Sequence, residues 1–265
     1  MSIDAATIAF AHKLADTSGQ VIRPYFRQRI AVADKGLARG SVFDPVTAAD
    51  KGAEQAIRAI IEHERPNDGI IGEEFGEKAP ANPFTWILDP VDGTRAFITG
   101  RYEWGSLIAL EENGNAVLGI LDQPVLDERF IGVNGNAELL SAGSRTPLRV
   151  RPCPGLSEAV LCATHPDAYF TPDEREAFSR VQGAARMTRF GGDCYLFGLL
   201  ALGFIDLIIE SSFHHWDVAA LIPIIRGAGG IITNWNGGSC AHGGKILAAG
   251  DARVHAQAMK LLTGE

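Results

Sequence analysis

Hydrophobic positions change period along the chain, and each change marks a change of element. From residue 4 to about 27, Ile8, Ala11, Ala15, Val21, Ile22 and Tyr25 recur at helical spacing and predict an amphipathic helix. Residues 33–44 (ADKGLARGSVFD) are aperiodic, glycine-containing and mixed in charge, which predicts a mobile loop. Thr47-Ala48-Ala49-Asp50 gives a capping-box start to a second helix that runs to about residue 64, with Ala53, Ile57, Ile60 and Ile61 inward. Short apolar runs bounded by turn residues follow, predicting strands at 69–72, 85–88, 105–110, 116–121 and 129–133. Residues 111–115 and 134–136 read as hairpin connections, so residues 1–145 are expected to form an α+β half with an antiparallel sheet. Beyond residue 145 strand and helix alternate: strand 159–163, helix 172–181, strand 187–190, helix 193–202, strand 205–209, helix 216–226 and strand 230–233. The half 146–265 is therefore expected to be α/β. No internal repeat or low-complexity segment is present.

Composition narrows the class. With 265 residues and 46% hydrophobic content the chain can bury a large core. Its net charge of −8 leaves no basic stripe for nucleic acid, although metal ions or backbone N–H groups can still hold a small anion. Met1-Ser2-Ile3-Asp4-Ala5 lacks a basic region leading into an apolar one, so no signal peptide and a cytoplasmic location are expected. The longest apolar stretch, 194–205, is too short to span a bilayer, so no membrane partner is expected. Cys153, Cys162, Cys194 and Cys240 show no C-x-x-C spacing and read as reduced, partly buried thiols.

Candidate chemistry centres on Trp86-Ile87-Leu88-Asp89-Pro90-Val91-Asp92-Gly93-Thr94. An apolar strand ending in Asp89 places a carboxylate at a strand's carboxyl end, where ligands of layered α/β proteins bind. Across a turn stiffened by Pro90, Asp89, Asp92 and the Val91 carbonyl can converge on one cation, and hard oxygen donors suit Mg²⁺. Gly93 lets the backbone approach a ligand, and Thr94 opens a short helix whose free N–H groups suit phosphate. Taken alone, the run reads first as a turn with an N-cap. Two further acids change that balance: Glu73-Glu74, at the end of the strand 69–72, and Asp217, which by itself reads as an N-cap.

Together, Glu73-Glu74, the Trp86 to Thr94 run, and Trp216-Asp217-Val218-Ala219 followed by Gly227-Ala228-Gly229-Gly230 resemble the inositol-monophosphatase superfamily of metal-dependent, lithium-sensitive phosphatases over nearly the whole chain. The resemblance implies a layered αβαβα sandwich, with Glu73, Asp89, Asp92, Asp217 and the Val91 carbonyl binding two or three Mg²⁺. The first half would then carry most of the metal ligands and the second would complete the site. It also implies that Asp50, otherwise a plain capping acid, pairs with the Thr94 hydroxyl to orient and deprotonate the attacking water. Glu74 would act through a water at the metal, Gly93 and Thr94 would receive the phosphate, and the protein would be a homodimer.

Four stretches narrow the resemblance to bacterial histidinol-phosphatases of this superfamily: 92–97 (DGTRAF), 100–105 (GRYEWG), 121–124 (LDQP) and 189–195 (RFGGDCY). Histidinol phosphate carries an ammonium and an imidazole, with which Asp193 and Glu210 can pair; Arg95 is the third candidate for binding substrate, with a solvated helix residue as its alternative reading. The motif His214-His215-Trp216-Asp217 is instead closer to inositol monophosphatases, so an inositol or broader phosphate ester is the alternative substrate. The two histidines read as rim residues and not as a chelating pair. A non-catalytic cation-binding protein is the alternative of another class. A P-loop around Gly244-Lys245 fails, because Ser239 and Ile246 stand where glycine and a hydroxyl residue are needed.

Overall fold

The computed structural model describes residues 2–34 and 45–264. Helix α1 (Ala5–Ile22) is capped by the Asp4 side chain, which accepts from Thr7 N, and buries Phe10 and Leu14 beside Ala11, Ala15 and Ile22. It stops short of the expected residue 27 at a 3-10 turn, Arg23–Tyr25, that contains Pro24, a residue with no N–H for a continuing helix. Of the loop expected at 33–44, only β1 (Ala33–Asp34) is described. It pairs with β2 (Pro45–Val46), and the rest lies outside the described residues. Helix α2 (Ala48–Glu64) starts on a capping box formed by Thr47 and Asp50. Ala53, Ile57 and Ile61 are buried, whereas Ile60 is only half-buried.

The first sheet joins β3 (Gly69–Gly72), β4 (Gly76–Lys78), β5 (Phe84–Asp92), β6 (Gly105–Glu112), β7 (Asn115–Gln123), β8 (Glu128–Val133), β9 (Asn136–Ser141) and β10 (Ser144–Pro147) in the order β10-β9-β8-β7-β6-β5-β3-β4. It is antiparallel except where β3 runs parallel to β5, so the expected antiparallel sheet is in fact mixed. Asn113-Gly114 and Asn134-Gly135 make the hairpin turns, all four residues at positive φ, as the twist of the flanking strands demands. After β5 comes the short helix α3 (Thr94–Ile98).

The second sheet orders β11 (Val160–Ala163), β12 (Met187–Phe190), β13 (Leu207–Phe213), β14 (Ile231–Thr233) and β15 (Gly244–Ala249) as β12-β11-β13-β15-β14. Its first three strands are parallel, and β15, absent from the expected elements, is antiparallel to both neighbours. The helices of this region are α4 (Pro166–Tyr169), α5 (Pro172–Ala184), α6 (Tyr195–Ala201), α7 (His215–Val218), α8 (Leu221–Gly227) and α9 (Ala252–Thr263). The helix expected at 216–226 is thus broken in two, and the one expected at 193–202 begins two residues late.

Side-chain alternation assembles the layers. Trp86, Leu88, Ile108 and Ile120 point out of the first sheet against α1 and α2, while Ile87, Leu107 and Leu121 point inward against α6 and α8. The second sheet sends Ile208, Ile246 and Ala248 toward the same central helices, and Leu207, Leu247 and Ala249 outward against α5 and α9. The result is the αβαβα sandwich. Its central layer is tight: a Cβ on Gly119 would meet Ala220 O at 2.0 Å, and one on Gly132 would meet Pro223 C at 2.2 Å. Those atoms are backbone and cannot swing aside. Gly119→Ala is therefore expected to cost about 1–3 kcal/mol, read as a lower urea midpoint; an unchanged midpoint would show that the helix layer slides freely. No helix among the described residues is long and apolar enough to cross a membrane, and all four cysteines are free and buried.

Candidate active site

In β5, alternation places Asp89 on the central face with Ile87. The strand does not end there, contrary to the expected turn. It continues to Asp92 with a shift of register: Asp89 lies opposite Leu107 and Asp92 opposite Gly105, three residues against two. This is a bulge at Pro90-Val91, where proline has no N–H to give the ladder. Two acids three apart would face opposite ways in a regular strand; the extra residue turns them to the same side. Pro90 O accepts from Ser106 Oγ at 2.7 Å, and Ser106 Oγ lies 2.7 Å from Ser18 Oγ of α1, so the bulge is held from within the fold.

The third acid comes from α7, which packs on β5. Asp217 is not an N-cap: it sits at the third helical position, where its Oδ2 accepts from His214 N at 2.7 Å. Carboxylate oxygens of Asp89, Asp92 and Asp217 lie within 4.8 Å of one another. Burial, followed by the nearby charges of Glu73, Asp92, Asp217 and Asp50, pushes the Asp89 carboxyl well above the usual range. Asp92 is raised likewise by burial, Asp217 and Asp193, against the Cys194 N–H that donates to its Oδ2 at 2.8 Å. Acids crowded in this way in a low dielectric are a donor set for a hard divalent cation. Glu73 stands just beyond β3, and its N–H donates to Leu88 O at 3.2 Å, which brings it beside Asp89. Glu74 follows it in the turn to β4.

Asp50 is almost wholly buried at the start of α2. Its Oδ2 accepts from Thr47 N and Thr47 Oγ1, which leaves Oδ1 facing Thr94 Oγ1 at 3.3 Å. The Thr94 hydroxyl has a second acceptor in Val91 O at 3.1 Å, and its one hydrogen can serve only one of them at a time. Gly93, the residue before α3, has φ 83°, and a Cβ there would meet Glu103 O at 2.9 Å. Both the left-handed backbone and the close approach require glycine.

On the side of the second sheet, Asp193 precedes α6 with φ 44°. Its carboxyl is pushed up to about 6 by burial and Glu103, against Arg101 and Arg95. Glu210 on β13 is 1% exposed and is pushed up to about 8 by burial, against Thr164, whose N and Oγ1 donate to Oε1 at 2.7 and 2.8 Å. Among the described residues its Oε2 has no hydrogen-bond partner. Arg95 lies over the ring of Tyr169, 5.0 Å from its centroid, and burial raises Tyr169 to about 12. The two histidines part company: His214 is exposed and stacked on Trp216, while His215 Nε2 sits 2.7 Å from Glu111.

Four residues escape the sequence expectations. Thr164, Tyr169 and the Cys194 N–H carry no sequence signal, because they reach the site through backbone position or long-range packing. Glu54 does carry one: it stands four residues after Asp50, on the same face of α2.

Residues 4–264 match the profile of the family described as "Inositol monophosphatase family". The chain is 42% identical over 265 residues to the "Bifunctional phosphatase IMPL2, chloroplastic" of Arabidopsis thaliana, spanning 96% of this chain and 74% of that protein. It is 33% identical over 250 residues to a histidinol-phosphatase of Mycobacterium tuberculosis, covering 94% of each. A solved inositol monophosphatase from Zymomonas mobilis superposes with a TM-score of 0.86 at 41% identity, over 98% of this chain and 100% of that one.

Proposed function

The chain belongs to the inositol monophosphatase family, and from that premise we propose that this phosphomonoesterase hydrolyses L-histidinol phosphate to L-histidinol and phosphate. The observation that carries the choice of ester is a pair of acids beyond the cluster, the half-buried Asp193 and the buried Glu210, with Asp193 near enough for its charge to act on both Asp92 and Glu210. Glu210 Oε2 has no hydrogen-bond partner among the described residues, and a cationic donor set against it would both supply one and favour the ionised carboxylate, which a neutral polyol does less well. The relative from Mycobacterium tuberculosis, named a histidinol-phosphatase, supports the same choice. An inositol phosphate is the second reading, favoured by the structure from Zymomonas mobilis and by the His-x-Trp-Asp motif.

In this reading Glu73, Asp89, Asp92, Asp217 and the Val91 carbonyl hold Mg²⁺, two or three ions per site, with Glu74 acting nearby through water. The hard, crowded oxygens fit such ions. Bound Mg²⁺ supplies Lewis acidity for water and screens phosphoryl charge. Asp50 and Thr94 orient the attacking water; as its oxygen bonds to phosphorus in line with the breaking ester bond, its proton passes by way of the Thr94 hydroxyl to the Asp50 carboxylate, and the departing alkoxide takes up a proton from solvent to leave as the alcohol. The N–H groups of Gly93 and Thr94 face the phosphate. Asp193 and Glu210 hold the ammonium and imidazole end, and Arg95 closes the rim. The same reading divides the chain into halves 1–145 and 146–265 and takes it to assemble as a homodimer.

A panel of histidinol phosphate, inositol 1-phosphate, fructose 1,6-bisphosphate and adenosine 3′,5′-bisphosphate tests the choice. Histidinol phosphate is expected to give the highest kcat/KM, and a higher value for the inositol ester overturns it. Asp193→Ala is expected to lower kcat/KM for histidinol phosphate about 10- to 100-fold, as the loss of a charged hydrogen bond does, while sparing the inositol ester. Equal losses on every ester would remove Asp193 from substrate selection.

A further inference from the structure

Helix α2 presents two buried acids one turn apart, and the second has no part in the chemistry described so far. Glu54 is fully buried, and its carboxylate is held by groups of the protein itself. It accepts from the backbone N–H of Glu74 at 2.8 Å and of Phe75 at 3.1 Å, and from Arg58 Nε at 2.7 Å. Arg58 also donates to Gly76 O. The two side chains thus grip both ends of the turn between β3 and β4, the carboxylate at its amides and the guanidinium at its closing carbonyl. Gly72 is shaped to this grip: a Cβ there would stand 2.1 Å from Glu54 Oε1 and 2.9 Å from Arg58 Nη2. A buried ion pair used in this way fixes a geometry more than it adds stability.

The turn it fixes is the one that carries Glu73 and Glu74. We infer that Glu54 is a positioning residue for the metal centre: braced by Arg58, it sets the backbone of residues 73–76 so that the Glu73 carboxylate meets those of Asp89, Asp92 and Asp217. Since α2 also carries Asp50, one rigid helix places both the acid that faces Thr94 and the strand-end ligand, in fixed relation to each other. The inference rests on the reading of Glu73 as a metal ligand. Side chains that orient ligands typically govern about 10–100-fold in metal affinity.

The test is calorimetric titration of the chelator-stripped full chain with Mg²⁺, for the parent, Glu54→Gln, Arg58→Met and Glu73→Gln, with amide hydrogen exchange at Phe75 measured alongside. Gln keeps the shape but sets an NH₂ against one of the donors. The expected result for Glu54→Gln is a Mg²⁺ Kd raised about 10–100-fold, faster exchange at Phe75, and a kcat recovered at saturating Mg²⁺. A folded Glu54→Gln protein with parental Mg²⁺ affinity overturns the inference, even if its Tm has fallen, because a packing role alone would move only Tm. Should Glu54→Gln not fold, Arg58→Met decides: a raised Kd supports the inference and an unchanged one overturns it. Glu73→Gln separates the two readings. If it leaves Mg²⁺ affinity intact, the ligand reading falls and this inference with it; if it weakens binding while Glu54→Gln does not, only the inference about Glu54 falls.

Discussion

Asp92→Asn is expected to lower kcat/KM about 10³-fold on every phosphate ester while the fold persists. The figure corresponds to about 4 kcal/mol of transition-state stabilisation, the scale on which a bound cation acts on developing charge. The fold should persist because the amide oxygen of Asn can still accept from Cys194 N, as Asp92 Oδ2 does at 2.8 Å. Stability offers a second readout with a definite sign. Asp89 and Asp92 both hold their protons in the folded metal-free chain at pH values where the unfolded chain has released them. Folded protein therefore binds more protons than unfolded above about pH 4, and stability falls as pH rises through that window. Removing one acid relieves the repulsion. In scanning calorimetry with chelator, Asp92→Asn should melt above the parent at pH 8, with the difference shrinking toward pH 4. Near-parental turnover would sink the proposed metal role, and equal melting at pH 8 would show that the acids do not strain the metal-free fold.

Asp50→Asn is expected to lower kcat about 10²–10⁴-fold, the range for loss of a group that accepts a proton in the transition state, with Mg²⁺ affinity changed much less. The local geometry explains why the substitution isolates chemistry from folding. The oxygen of Asn is claimed by Thr47 N, which preserves the capping box. Its NH₂ then faces Thr94 Oγ1, reversing that hydrogen bond and turning the hydroxyl hydrogen toward Val91 O. No acceptor is left for the proton of water. If kcat stays within a few-fold of the parent, Asp50 is a helix cap and nothing more.

The elements legible in the sequence are those whose burial is one-sided or complete. Helix α2 shows both its period and its cap, and the buried β3 appears with the bounds expected of it. Strands β4 and β10 are not legible because they lie on the edges of the sheet with most of their residues exposed, so no apolar run marks them. Helix α9 does carry a clear period at Val254, Ala258 and Leu262, but the expected elements end at residue 233. The sequence points to a list of acids, of which Asp89, Asp92 and Asp217 come together, but not to their geometry. Spacing placed Asp89 and Asp92 across a turn, because Pro-x-Asp-Gly reads locally as one; pairing with β6 overrides that preference and keeps the segment in the sheet. Asp193, expected within a helix, has a positive φ instead, where the chain passes close to Gly93. Such long-range contacts leave no trace in local pattern.

The bulge in β5 has a consequence for charge balance. A regular strand can set two carboxylates on one face at a spacing of two, but each carboxylate brings a negative charge and a proton to compete for it. The extra residue adds an oxygen of another kind, the Val91 carbonyl, close to Asp89 and Asp92 and already within hydrogen-bond reach of Thr94. A carbonyl contributes coordination without charge and has no proton to gain or lose. In the proposed set, this one donor binds equally well at pH 6 and pH 9, and it strengthens the hold on a cation without adding to the negative field that a departing phosphate must leave behind.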